Sequence, residues 1–298
     1  MDGAIADSTK AIELKRHDVV SNANQGIPKE GKGDLGGAIA SSAKVIELNP
    51  DDAQAHVNRN VAKGGESDAG SAIANSTKAA EFNPDDAQAY VNRGAAKLAK
   101  GDLDGAIADN TKAIELKPDD AEAYINRGLA EGAKGDVDGA IADSTKAIEL
   151  KPDDAEARVN RGVAKLAKGE ADTAVADFTK AIELNPDDAI GHYYLGFCYA
   201  NGEGVKKDVV KGVRMYRVAA EHGVAQAQWR LALCYYNGEG VAKDAVEAYA
   251  WFSLAAKADP NALKSRDLLQ KELTPRQFKD AQKRTKELQS QIEAKLKL

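Results

Sequence analysis

Aromatic residues are scarce, at 5% of 298 residues, and there are only two cysteines, two tryptophans and five phenylalanines. Two cysteines cannot build a disulfide framework, which excludes the stapled secreted folds and fits a reducing compartment. No apolar run is long enough for a membrane span. No window alternates apolar and polar residues with period two, so no strands are expected and the fold class reads as all-α. The net charge of −6 leaves no basic excess for a nucleic-acid partner. His17, His56, His192 and His222 are far apart and share no repeat position except by chance. No His/Cys cluster has metal-ligand spacing, and no catalytic constellation stands out. Neither metal, cofactor nor enzyme chemistry is expected.

Proline is also rare, yet five of the eight are in step: Pro50, Pro84, Pro118, Pro152 and Pro186 lie 34 residues apart. A fixed period of this length is the mark of stacked supersecondary units. The clearest unit is DDAEAYINRGLAEGAKGDVDGAIADSTKAIELKP, Asp119 to Pro152. Its first helix should start after the proline, with Asp119 as cap and Glu122 completing a capping box. Gly135 and Asp136 should end that helix and cap the next. The following proline stops the second helix. Capping explains the repeated Asp-Asp pairs more simply than a cation site.

The 34-residue unit resembles the tetratricopeptide repeat, through Tyr124, Gly128, Ala140, Ala147 and Pro152 when Ala121 is place one. The resemblance implies a right-handed α-solenoid whose first helices line a concave surface. The usual large aromatic of the second helix survives only as Phe178, with Ser144, Asn110 and Ser76 at its place in the units before. Pro28 and Gly64-Gly65 fall inside expected helices, which makes residues 17–70 the weakest part.

After Pro186 the period becomes 36. Ala189 to Val224 aligns with Ala225 to Pro260, pairing Cys198 with Cys234 and two NGEGV segments at Asn201 and Asn237. This is similar to the Sel1-like repeat, whose added glycine loop uses backbone angles closed to other residues. The NGEGV segments are not phosphate loops, since no Lys-Ser/Thr follows. The tail from Asn261 reads as two helices with an apolar stripe of Phe278, Ala281, Leu288 and Ile292, and bacterial Sel1-like proteins often end in this way. It carries ten basic and five acidic residues, a surplus of five, which leaves −11 for the rest of the chain. The expected organisation is a half repeat at 1–16, five tetratricopeptide units over 17–186, two Sel1-like repeats over 187–260 and capping helices over 261–298.

Place six of each unit holds an asparagine: Asn24, Asn58, Asn92, Asn126 and Asn160. In some members of the resembled family, asparagines at this place hold an extended peptide by its backbone. A carboxamide has one acceptor and two donors, so it can serve both an N–H and a C=O of a peptide. The peptide-binding groove is therefore expected along Asn58, Asn92, Asn126 and Asn160, lined by Val91, Ile125, Val159 and Leu129. Arg93, Arg127 and Arg161, one place later, are expected to pair with Asp109, Asp143 and Asp177.

The leading functional reading is a non-enzymatic scaffold or adaptor that binds a protein or peptide partner, with no nucleic-acid or membrane partner. Two alternatives stand beside it. One is a self-assembling spacer that docks through its open amino-terminal half repeat. The other is an accessory module of an enzyme. The start, MDGAIADSTKAIELK, lacks the basic and apolar regions of a signal peptide. That points to the cytoplasm, or to the periplasm for a fragment that has lost its signal.

Overall fold

The computed structural model describes residues 35–48, 55 and 69–296. The half repeat at 1–16, most of the segment 17–70 expected to be weak, and Asn58 lie outside the described residues. Fourteen helices and no strand are found among those described. The chain divides into two compact units, residues 1–151 and 152–298. Each unit is a stack of helix-turn-helix repeats of the α-solenoid class.

The first unit contains α1 (Leu35–Leu48), α2 (Ala69–Phe82), α3 (Ala87–Ala99), α4 (Leu103–Leu116), α5 (Ala121–Lys134) and α6 (Val137–Leu150). The second Asp of each Asp-Asp pair makes the cap. Asp86 accepts from the Gln88 and Ala89 amides, and Asp120 accepts from the Glu122 amide. The expected cap at Asp119 is thus corrected by one residue. Glu122 then stands at the second helical position, too early for a capping box. Gly135 ends α5 in the left-handed region at φ +91°, and Asp136 caps α6, as the sequence indicated.

Helix pairs approach closely at place eight. A Cβ on Gly128 would sit 3.1 Å from the Asp143 Cβ, and one on Gly94 would sit 2.4 Å from the Asn110 amide nitrogen. The polar replacements of the missing aromatic are buried. Asn110 is fully enclosed and donates to the Ala106 carbonyl at 2.8 Å, and Ser76 and Ser144 are equally inaccessible. The first unit therefore packs mainly alanines, with Val45, Val91, Tyr124 and Ile125 as its larger core side chains among the described residues.

The second unit contains α7 (Ala155–Lys168), α8 (Ala171–Leu184), α9 (Ala189–Asn201), α10 (Val209–Glu221), α11 (Ala225–Asn237), α12 (Ala245–Ala255), α13 (Pro260–Glu272) and α14 (Pro275–Lys295). Its core is far larger in side-chain volume. Phe178 is fully buried over Gly162 and stacks on Tyr194 at 5.5 Å. Tyr216, Leu231, Trp251 and Phe252 form the main cluster.

The NGEGV glycines have φ between +65° and +83°. The second glycine of each loop also touches backbone: a Cβ on Gly204 would lie 2.3 Å from the Ala171 carbonyl carbon. Thr274 caps α14 in a capping box with Gln277, and Ala281, Leu288 and Ile292 are the buried residues of that helix. No helix among the described residues is long and apolar enough to cross a membrane.

Candidate functional site

The first helices of the 34-residue repeats carry side chains whose fates differ by repeat place. Place five points inward. Val91 is fully buried, while Ile125 and Val159 keep only 8% and 4% of their surface exposed. These three were expected to line the groove. They belong to the core instead: Val91 packs with Ala113 and Ala123, and Val159 with Ala174 and Phe178. Leu129, at place nine, is half-buried and keeps an accessible face.

Place six differs. Asn92 and Asn126 in the first unit, and Asn160 in the second, are half-buried. In all three the amide nitrogen Nδ2 is enclosed yet has no hydrogen-bond partner. The Asn92 carbonyl oxygen accepts from Gln88 Nε2 at 3.1 Å, which turns the idle NH2 end away from the place-two side chain. An enclosed polar group without a partner costs about 1–3 kcal/mol. The same enclosed donor recurs at place six of two repeats in the first unit and of one in the second.

Place seven is fully engaged, as expected. Arg93 grips Asp109 through two bonds of 2.8 and 2.6 Å, Arg127 grips Asp143 at 2.7 and 2.8 Å, and Arg161 grips Asp177 at 2.9 and 2.6 Å. Each fork ties the first helix of a repeat to its own second helix. Arg127 also donates to Thr111 of the preceding repeat at 3.2 Å. The partnered aspartates are buried, so these arginines hold the fold and are not free for a ligand.

Place eleven varies. Lys97 and Lys165 add second cations 2.8 Å from Asp109 and Asp177. The intervening repeat has Glu131 instead. Burial and the Asp143 charge push its carboxyl up to about 7, against the opposing pull of Arg127. The lysine-to-glutamate change is legible in the aligned repeats, but its consequence depends on the burial of Asp143.

Place four was also missed. Tyr124 and Arg158 each donate to the carbonyl of the proline six residues before, Pro118 and Pro152, and His192 Nε2 lies 2.9 Å from the Pro186 carbonyl. His192 therefore occupies a defined repeat position rather than a chance one. Cys198 and Cys234 are buried free thiols, and burial raises each to about 11. Among the described residues no group of three His, Cys, Asp or Glu side chains could hold a metal ion.

The Sel1 repeat family matches residues 189–224 and 225–260, the two 36-residue units. Tetratricopeptide repeat families match residues 96–132, 125–189 and 159–203. No curated protein sequence matches the chain. Among solved structures, a protective antigen of uropathogenic Escherichia coli with an SLR fold superposes with a TM-score of 0.70 at 24% identity. That match covers 97% of this chain and 64% of the antigen, so the chain spans less than two thirds of its length. The APC/C hetero-tetramer Cut9-Hcn1 matches with a TM-score of 0.65 at 18% identity, over 91% of this chain and 52% of that one. YrrB, a TPR protein with an unusual peptide-binding site, matches with a TM-score of 0.50 at 24% identity, over 62% and 95%. At these identities the likeness speaks for the fold, and together with the repeat matches it makes the chain a tetratricopeptide repeat protein with carboxyl-terminal Sel1 repeats.

Proposed function

We propose that the chain is a non-enzymatic interaction scaffold that binds an extended peptide segment of a partner protein by its backbone. The single observation that carries this reading is the pair of enclosed, idle amide nitrogens at Asn92 and Asn126 in the first unit. A peptide carbonyl placed at each amide would remove the cost of leaving that donor unpaired. In the first unit α3 packs against α5, so Asn92 and Asn126 stand on successive first helices. Asn160 offers the same group in the second unit. Asn58, expected at the head of the row, lies outside the described residues.

The amides read backbone and are blind to sequence. Selectivity falls to the half-buried neighbours Ala95 and Leu129 and to Gln88 and Glu122 at place two. This rim suits an uncharged or mildly basic segment. At about 1 kcal/mol net per bond, two or three asparagines supply only weak binding, in the millimolar range. Higher affinity would come from side-chain contacts or from several repeats acting together.

The test is a binding assay of the full chain against a peptide array, beside a variant with Asn92, Asn126 and Asn160 changed to alanine and checked for unchanged helical content. The scaffold reading expects the variant to lose the bound peptides. Retention of all of them would sink the asparagine row as the site.

A further inference from the structure

The Sel1 repeats carry different chemistry at the places just described. Place five becomes Tyr193 and Trp229, place six becomes Tyr194 and Arg230, and place nine becomes Phe197 and Leu233. Arg230 is half-buried, and its guanidinium lies 5.9 Å from the Phe197 ring centre and 5.0 Å from that of Trp229. Unlike Arg93, Arg127 and Arg161, it has no carboxylate partner among the described residues. Its Nε and the neighbouring Trp229 Nε1 are enclosed donors without acceptors. Arg230 is thus a half-buried cation beside two rings with no counter-charge among the described residues.

Beside α11 is a cavity of about 110 Å³, lined by Leu233, Tyr236, Phe252, Ser265, Leu268 and Leu269. Its walls come from α11, α12 and α13, and they are almost entirely apolar. Leu268, one of the lining residues, keeps 62% of its surface exposed. The volume suits one branched aliphatic side chain. The rim is mixed in charge: Lys243 lies over the Tyr236 ring at 5.4 Å, and the Tyr236 hydroxyl donates to Glu272 at 3.3 Å.

We infer that the Sel1 repeats form a second docking surface for an acidic peptide segment, with a carboxylate on Arg230 and a leucine-like side chain in the cavity beside Leu268. Charge complementarity selects the occupant, because the unpaired Arg230 asks for an anion and the basic surplus of the 261–298 segment favours acidic chains. Arg230 and the cavity-lining Leu233 are one helical turn apart on α11, and Leu268 reaches the cavity from α13. Neighbouring helix axes are about 8–10 Å apart, and an extended chain advances about 3.3 Å per residue. Carboxylate and aliphatic anchor should therefore be about three residues apart. The surface is independent of the asparagine row.

The probe is a set of end-blocked, fluorescently labelled Gly-Ser peptides with one Asp and one Leu at increasing spacing, titrated with the full chain and read by anisotropy. Binding should be tightest near three residues of separation and weaken about tenfold when the peptide Asp becomes Asn or when the chain carries Arg230→Gln. Leu268→Asp, a change at an exposed position that leaves the fold intact, should abolish the preference for Leu over Ala. Asn92→Ala with Asn126→Ala should change nothing, which separates failure of this surface from failure of the asparagine row. Equal binding of Asp and Asn peptides overturns the inference. So does unchanged binding to Arg230→Gln, or no binding at millimolar chain.

Discussion

Replacing Glu131 with lysine should stabilise the first unit, and the gain should depend on pH. Glu131 sits where two sister repeats have a lysine clasping the buried aspartate. Its side chain is 17% exposed and that of Asp143 is 8% exposed, so water screens the two acids poorly. Arg127, 3.8 Å from Glu131, is already committed to Asp143. The folded carboxyl ionises near pH 7, against about 4.3 in an unfolded chain. Between those values the folded chain keeps a proton that the unfolded chain has released, so stability falls as pH rises through this window. At about 1.4 kcal/mol per unit the full shift is about 4 kcal/mol, and solvent screening at a partly exposed carboxyl lowers the loss by pH 8 to roughly 3 kcal/mol. Glu131→Lys removes this loss and supplies the missing cation beside Asp143. Thermal melts followed by circular dichroism should show a gain of about 6–12 °C at pH 8 and a smaller one at pH 5. Hydrogen exchange should place the added protection in α5 and α6. A Glu131→Lys chain that melts at or below the parent temperature at pH 8 would refute the reasoning.

Two further outcomes test the packing. Gly204→Ala should destabilise by more than 2 kcal/mol, about twice the cost of Gly101→Ala or more. Both glycines have positive φ, but a Cβ on Gly204 meets the Ala171 backbone at 2.3 Å, while one on Gly101 meets open space; equal losses in denaturant titration would contradict the close approach. Cys198 and Cys234, buried and with thiols raised to about 11, should resist a thiol reagent at pH 8 until the chain unfolds, so prompt labelling of the folded protein would show the second-unit core to be open.

The period of 34 made the helix pairs legible, because glycine, alanine and proline recur where close approach and turns require them. The offset of 16 between Arg127 and Asp143 was readable for the same reason: it places both residues on facing surfaces of one hairpin. What a period cannot supply is which way a row faces. Val91, Ile125 and Val159 share a helix face with small residues on every side, and in alanine-rich helices the apolar stripe is too diffuse to distinguish groove from core. The cap at Asp120 rather than Asp119 is a similar case, since either carboxylate of a pair can reach a helix amide. Glu131 stands where the aligned repeats have Lys97 and Lys165, and Arg230 where the sister repeat has Tyr194, but neither difference shows its meaning in the sequence. Their meaning came only from what surrounds them: a second carboxylate in one case, two rings and no carboxylate in the other.

The contact at place four bears on how such arrays diverge. A phenol, a guanidinium and an imidazole each reach the backbone carbonyl of the proline that opens their repeat. In these three repeats the turn is served by a function, a polar group at the end of a long side chain, rather than by a residue type. A consensus drawn from aligned copies would record tyrosine and score arginine or histidine there as decay. Judged by the bond made, the three are synonyms, and a repeat can change its outward chemistry at this place while the joint to its neighbour stays closed.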